Sequence, residues 1–200
     1  MGADLIRYSV FRDTLQKIDD VFRSLGCVWC VLDELNQAAN INRPEYAQPL
    51  CTALQIALLE LLNSFGIIPS TVASRSSGEV AVACVIRALS LISGCKVAYY
   101  RGQLAGGLKA AAKSPGAMLA VNLPAQKVHD YLMLIGSPEI VSQVHVACTN
   151  SPLNSSPSGP EEATSLAKEK LDKDNIFAQK LNTGIQYHSP ALRVIEDDPS

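Results

Sequence analysis

Ser76 is the residue best placed by its neighbours to act as a nucleophile. It lies in the segment TVASRSSGE, residues 71–79, where a short apolar run gives way to a helical pattern that resumes at Gly78. Small residues, Ser74 and Gly78, stand two positions before and after it, as in a nucleophile elbow, where larger side chains would collide. Such an elbow strains the serine backbone, exposes its hydroxyl and aims the amide of Ser77 at a developing oxyanion. The same pattern fits a serine-rich helix cap equally well.

Cysteine and histidine are the other side chains in this sequence that could carry chemistry. There are six cysteines, of which Cys27 and Cys30 form a single C-x-x-C, and zinc would need further ligands. The histidines, His129, His145 and His188, do not stand at ligand spacing from one another. We therefore expect free thiols that pack structurally in a reducing compartment, and no metal site.

The composition describes a soluble globular chain. Its 200 residues are 48% hydrophobic and 18% charged, which is enough to bury a sizeable core. A formal net charge of -2 with scattered Lys and Arg argues against nucleic acid as a partner. The N-terminus lacks the apolar region of a secretory signal, and the longest apolar stretch, residues 54–62, is interrupted and too short to span a bilayer. We expect a cytoplasmic protein.

The spacing of apolar residues predicts the elements that would carry Ser76. Apolar side chains recur every three or four positions from Phe11 to Leu25, which predicts an amphipathic helix ending near Gly26. A second helix, apolar on nearly all sides, is expected from about Tyr46 to Phe65. Residues 66–73 indicate a turn followed by a short strand, and residues 89–112 a further helix.

From residue 118 onward, the sequence pattern predicts strands that alternate with helices. The pattern predicts a strand over residues 118–123, a helix over 125–134, a strand over 140–148 and a helix over 160–171. The Ser/Pro/Asn-rich stretch 150–159 is predicted to be a loop. This alternation of strands and helices favours a small α+β insertion.

Four segments, taken together, resemble the malonyl and acyl transferase domains of fungal reducing polyketide synthases. They are, in order, PEYAQPLCTALQIALLELLNSFGIIPS, RSSGEVAVA, ALSLISGCKVAYYRGQLA and QYHSPAL. The resemblance runs over almost the whole chain and implies an α/β fold. Residues 1–116 and 182–200 would form part of an α/β-hydrolase-like large subdomain, and residues 117–181 a ferredoxin-like small subdomain inserted into it.

The resemblance also implies a role for individual residues. Ser76 matches the serine that is acylated, and His188 matches the base that takes the serine proton and later returns it to the leaving thiol. Arg101 matches the arginine that holds the free carboxylate of a malonyl group, a role that suits a bidentate guanidinium. Gln48 matches a glutamine near the active site, although packing of a buried polar side chain explains it equally well. Ser77 would supply a backbone oxyanion donor.

The implied reaction is ping-pong acyl transfer without a metal or organic cofactor. Ser76 would take malonyl from malonyl-CoA, and the thiol of an acyl carrier protein, free or within a polyketide synthase chain, would take it from Ser76. A noncatalytic remnant or interaction module of a synthase is an alternative. A serine hydrolase that shares the elbow is disfavoured, because Arg101 suits acyl groups that bear a carboxylate and no triad carboxylate is evident.

The sequence also departs from the pattern of this family. The family has a Gly-Gln-Gly motif, with a second oxyanion donor, ahead of the Met-Gly that begins this sequence, and a segment beyond the histidine that orients it. We therefore expect residues 1–200 alone to be weaker in catalysis and stability. Arg75 stands where the family has histidine, and Ser74 where it has glycine. Arg75 could either favour the serine alkoxide or block substrate entry.

Overall fold

The computed structural model describes residues 2–37, 39–112, 114–133, 142–181 and 183–188. These residues form two compact units, one that ends at Gly106 and one that begins at Gly107. Each unit has its own buried apolar core. In the part of the chain that is described, no helix is both long and apolar enough to cross a bilayer.

All regular secondary structure among the described residues of the first unit is helical. A short 3-10 helix, Ala3–Arg7, is followed by α1 (Ser9–Ser24), α2 (Val31–Asn36), α3 (Pro44–Ser64), α4 (Gly78–Val85) and α5 (Leu91–Ala111), the last of which runs past the unit boundary. The helices predicted over residues 11–25 and 46–65 are thus confirmed. On α1, the side chains of Phe11, Leu15 and Ile18 are 0% exposed, because their spacing puts them on one face of the helix.

α3 is only partly buried, although its sequence is apolar on nearly all sides. One face, which includes Leu50, Ala53 and Ala57, packs into the same core as α1. Leu58 lies on another face and is 40% exposed. The helix therefore has an inner and an outer side among the described residues, although apolar side chains occur on both.

The segment between α3 and α4 does not form the strand predicted within residues 66–73. Residues 67–75 have no regular secondary structure and pair with no strand in the described part of the chain. A strand is stabilised by hydrogen bonds to a neighbouring strand, which the apolar side chains of one segment cannot replace. As a result, Ile67 and Ile68 are 56% and 79% exposed.

A glycine brings α5 against the first turn of α3. A Cβ atom on Gly102 would lie 3.0 Å from the carbonyl oxygen of Pro44 and 3.2 Å from the Cα of Glu45. Because both obstacles are backbone atoms, any larger residue at position 102 would push the helices apart. This close contact fixes the position of the neighbouring residue, Arg101.

The second unit is a sheet covered by two helices. Its elements, in chain order, are β1 (Gly116–Val121), α6 (Ala125–Met133), β2 (His145–Ser151), β3 (Asn154–Pro160), α7 (Glu161–Lys173) and β4 (Ala178–Leu181). The strands pair antiparallel in the order β2-β3-β1-β4. A βαββαβ chain with this strand order is a ferredoxin-like fold, as predicted. The residue limits given above for the large and small subdomains stay a prediction.

The stretch predicted as a loop, residues 150–159, is instead a hairpin. It contains the end of β2 and nearly all of β3, which is an inner strand of the sheet. Pro157 cannot donate a hydrogen bond to a neighbour, and it lies opposite Val146 where the register of β2 and β3 shifts. The hydroxyl of Ser155, which is fully buried, donates to the carbonyl oxygen of Leu123 at 2.8 Å. Hydrogen bonds to residues outside 150–159 therefore allow this serine- and proline-rich segment to form a buried strand.

Candidate active site

Ser76 has the backbone conformation expected of a nucleophile elbow. Its φ is 55°, in the left-handed region, which costs a residue with a Cβ about 1–2 kcal/mol. The residue is half-buried and precedes α4 by two positions. Strain of this kind persists where the surrounding structure holds it, commonly at functional sites. It favours the elbow over a serine-rich helix cap, because a helix N-cap residue ordinarily has β-region φ and ψ values.

The residues on either side of Ser76 are close enough to require small side chains. A Cβ on Gly78 would lie only 3.2 Å from the Cβ of Ser74. Ser74 would have to shift by a few tenths of an ångström to admit even alanine at position 78. The size restriction that the sequence pattern predicts is therefore present in the geometry.

The start of α4 presents its amides next to the nucleophile. The amide of Gly78 donates to the carbonyl oxygen of Arg75, and the amide of Glu79 donates to that of Ser76, both at 3.1 Å. Ser77, which directly precedes Gly78, has helical conformation, with φ -61° and ψ -24°. Because it precedes the first turn, its amide has no carbonyl available within the helix. This amide and the positive end of the helix dipole can stabilise an anion formed beside Ser76.

Arg101 contacts the nucleophile directly. One of its terminal guanidinium nitrogens donates to the Oγ of Ser76 at 3.2 Å. Arg101 lies near the middle of α5 and is half-buried, as is Ser76. The structure therefore brings together two residues that stand 25 positions apart in the sequence.

Gln48 lies on α3, half-buried, where that helix touches α5. The next residue, Pro49, places its Cδ 3.2 Å from where a Cβ on Gly102 would be. Pro49 of α3 and Gly102 of α5 therefore meet. Gln48 directly precedes Pro49 in the sequence, and Arg101 directly precedes Gly102. A polar residue beside that contact can line a site for a polar substrate.

Gln55 is a residue near the elbow that the sequence analysis missed. Its Nε2 atom lies 4.0 Å from the position of a Cβ on Gly78. It follows Gln48 by seven residues, so both lie on one face of α3. Two glutamines at this spacing in a largely apolar helix are a signal that could have identified that face as the one turned toward a polar site.

His188 belongs to the second unit, in the short segment that follows β4. It has a φ of 58° and is exposed. Within this segment the hydroxyl of Thr183 donates to the carbonyl oxygen of Ile185 at 2.8 Å, and Ile185 is buried. These contacts anchor the chain ahead of His188. Its pairing with Ser76, which lies in the first unit, stays a prediction.

Arg75 stands where the family that this sequence resembles has histidine. Its side chain is exposed beside the elbow. Its carbonyl oxygen takes part in the turn into α4 through the amide of Gly78. That role belongs to the backbone, so any residue could perform it. The side chain at position 75 is therefore open to replacement without loss of this turn.

The thiols of the C-x-x-C pair are hydrogen-bonded within the first unit. The Sγ of Cys30 donates to the carboxylate of Asp19 at 3.0 Å, and the Sγ of Cys27 donates to the carbonyl oxygen of Trp29 at 3.4 Å. Burial raises the pKa of both thiols. Burial also raises the pKa of Cys95, to about 12. Reactive cysteines have a lowered pKa, so this environment favours packing. Among the described residues no group of three or more His, Cys, Asp or Glu side chains could hold a metal ion.

The chain can also be compared with known proteins. The family profile described as the acyl transferase domain matches residues 1–200. The chain is 51% identical to highly reducing polyketide synthase 2 of Gibberella zeae and 41% identical to highly reducing polyketide synthase easB of Emericella nidulans, in each case over 98% of its own length. It spans only 7% and 8% of those relatives.

Solved structures agree with the sequence comparison. The loading acyltransferase from the avermectin modular polyketide synthase superposes with a TM-score of 0.86 at 26% identity, over 98% of this chain and 61% of that one. This likeness confirms the predicted α/β fold class, which the helical first unit alone does not display. The profile, the fungal relatives and the solved structure agree: the chain belongs to the acyl transferase domain family.

Proposed function

We propose that this chain transfers a malonyl-type acyl group from coenzyme A to the thiol of an acyl carrier protein, through an ester on Ser76. The observation that carries the proposal is the hydrogen bond of 3.2 Å from Arg101 to the Oγ of Ser76. It places a cation that can bind a carboxylate directly beside a serine held in the elbow conformation. A neutral ester substrate would offer no carboxylate for this guanidinium to bind.

The first half-reaction forms the acyl-enzyme. The Oγ of Ser76 attacks the thioester carbonyl carbon while His188 takes the hydroxyl proton. The tetrahedral intermediate collapses as the carbon–sulfur bond breaks, and His188 returns the proton to the departing thiolate, which leaves as coenzyme A. The products are the ester of Ser76 and a free thiol.

The second half-reaction repeats these steps with a new nucleophile. His188 takes the proton from the carrier-protein thiol, whose sulfur attacks the ester carbonyl. The carbon–oxygen bond to Ser76 breaks, and the proton passes to its Oγ. In both halves the amide of Ser77, at the start of α4, would stabilise the oxyanion.

The acyl group would be held on the α5 side of the elbow. Arg101 would bind the malonyl carboxylate through two parallel hydrogen bonds, and Gln48 would line the same side. The chemistry described needs neither a metal nor an organic cofactor. Malonyl-CoA and the carrier protein are therefore the proposed partners, the latter either separate or part of a synthase chain.

The test is loading by malonyl-CoA, followed by intact-mass measurement. We expect one malonyl adduct, which Ser76→Ala abolishes and which Ser74→Ala retains, because Ser74 is an exposed hydroxyl in the same segment. An adduct that survives Ser76→Ala would remove Ser76 from the role. A folded wild-type chain that does not load would favour a noncatalytic domain instead.

A further inference from the structure

The segment that follows β4, residues 183–188, packs against the start of β1. At Gly116, a Cβ atom would overlap the backbone amide nitrogen of Gln186 and would lie 3.0 Å from the Cβ and Cγ atoms of that residue. We infer that Gly116, because it lacks a side chain, positions His188 for its role as a base; this inference rests on the proposed function. Gly116 would be a positioning residue, since it acts through the backbone ahead of His188.

The requirement for glycine at position 116 is steric. Gly116 is buried as the first residue of β1, and its φ lies outside the left-handed region, so alanine could adopt its backbone conformation. The obstacle to a larger residue is the backbone that lies across it. To admit a methyl group, one of the two chains would have to move by about half an ångström or more, because packed atoms resist overlap steeply.

The start of β1 is held in place by its other neighbours. Gly116 pairs with Pro160 at the end of β3. The carbonyl oxygen of Pro115, just before it, accepts a hydrogen bond from the amide of Glu161 at 2.9 Å. A shift of β1 would disturb these contacts. The segment of residues 183–188 would therefore take up the displacement.

A displacement of Gln186 would reach His188 because the chain ahead of Gln186 is also constrained. Gly184 turns with a φ of 65°, and the Cε and Nζ atoms of Lys109 lie 2.5 Å from where its Cβ would be. His188 follows Gln186 by two residues, which places it within about 7 Å along the chain. Catalytic groups must be held to within about 0.5 Å of their productive geometry, so a shift of this size matters.

The experiment compares glycine-to-alanine substitutions at three positions of the second unit. Gly116→Ala displaces the segment ahead of His188. Gly159→Ala is the matched control for steric overlap in the same sheet, because a Cβ there would lie 2.8 Å from the carbonyl oxygen of Gln143. Gly107→Ala adds a methyl group to α5, where the new Cβ would meet nothing within 4 Å beyond its own helix backbone among the described residues.

The first measurement is the imidazole NMR signal of His188, which is assigned by its loss in His188→Ala. We expect Gly116→Ala to shift this signal. Gly159→Ala should leave it in place and shift the signal of His145 instead, because β2, which begins at His145, pairs with the strand that contains Gly159. The substitution in α5 should move neither signal. An unchanged His188 signal in folded Gly116→Ala would overturn the inference.

The second measurement is the rate of malonyl loading, combined with His188→Ala in a double-mutant cycle. We expect Gly116→Ala to load about tenfold more slowly or worse, because a small misplacement of a catalytic group costs much of its efficiency. In the His188→Ala background the same substitution should have no further effect, since the residue through which it acts is gone. A general structural defect would lower loading in both backgrounds equally.

Equal losses in the two backgrounds, or wild-type loading by folded Gly116→Ala, would overturn the inference and leave the proposed function standing. Wild-type loading by His188→Ala, or a folded wild-type chain that does not load, would defeat the proposed function and the inference with it. Should Gly116→Ala not fold, Gly184→Ala is the second variant, because a Cβ at φ 65° strains the same segment. It should shift the same NMR signal, and additive losses with His188→Ala would overturn the inference.

Discussion

At the scale of single residues, backbone strain coincides with the predicted chemistry. Within the described part of the chain, the residues other than glycine with positive φ are Ser76, Arg87, Asn175 and His188. Two of these are the predicted nucleophile and base. Arg87 and Asn175 have positive φ at helix ends, so strain alone does not assign a role, and the roles of Ser76 and His188 stay predictions that agree with it.

Arg101 should control which acyl group is loaded. Arg101→Ala removes the contact with Ser76 and also the partner of a malonyl carboxylate. Acetyl loading is affected only by loss of the contact with Ser76, because an acetyl group has no free carboxylate. We expect malonyl loading to fall at least about tenfold further than acetyl loading. The measurement is the rate of adduct formation from malonyl-CoA and from acetyl-CoA, by intact mass. Equal losses for both acyl groups would mean that Arg101 does not bind the carboxylate.

The candidate site could be predicted in part because some of its determinants are local. Ser74, Ser76 and Gly78 lie within one short segment, and the collision that restricts their size is a contact between close neighbours in sequence. Arg101 reaches Ser76 only through the packing of α5 against α3, which no local pattern encodes, and it was found by family resemblance. Gln55 was missed because its approach to Gly78 also depends on packing.

At the scale of elements, helices were more predictable than strands, although β1 lies where a strand was predicted. An α-helix satisfies its hydrogen bonds within one segment, so the spacing of Phe11, Leu15 and Ile18 was sufficient evidence for α1. A strand depends on partners elsewhere. β3 is buried despite its serines and Pro157, because β1 and β2 pair with it, whereas the apolar residues Ile67 and Ile68 lie in a segment that pairs with no described strand.

The end of α4 contains a residue poorly suited to its conformation. Arg87 follows this helix with a φ of 61°, and the amide of Leu89 closes the helix end by donating to the carbonyl oxygen of Ala83 at 3.0 Å. The positions just after α1 and α3 also have positive φ, and there the residues are Gly26 and Gly66. Glycine adopts this conformation without the penalty that a Cβ brings.

Arg87→Gly should therefore stabilise the protein. We expect the free energy of unfolding, measured in urea, to rise by about 1 kcal/mol, since relief of the left-handed strain is partly offset by the greater entropy of glycine in the unfolded chain. Asn175→Gly at the end of α7 is the control, because asparagine tolerates positive φ and should gain less. An Arg87→Gly protein no more stable than wild type would show that contacts of the arginine side chain compensate for the strain.

At the scale of the whole molecule, part of the apolar surface of the first unit lacks cover within the described residues. A cavity of about 900 Å³ lies beside the irregular segment, and its lining includes Ile56, Ile68, Val72 and Leu89. Phe65 and Ile86 nearby are 58% and 61% exposed. The chain covers 61% of the solved loading acyltransferase, so the rest of that domain has no counterpart in these 200 residues.

Joining residues 1–200 to the flanking segments of a related complete domain should therefore improve both stability and catalysis. Added strands would pair with the irregular segment and cover Ile67 and Ile68, so unfolding in urea should become more cooperative and its midpoint should rise. An oxyanion donor supplied by the added N-terminal segment should raise malonyl loading by about a hundredfold or more. The matched control is the same chimera with Ser76→Ala, which should gain stability and not loading.

If the chimera folds and still does not load malonyl, the fault lies within residues 1–200. Arg75→His is then the next variant to test, because Arg75 lies exposed beside the nucleophile. A folded chimera that remains inert after that substitution would rule out acyl transfer for this chain.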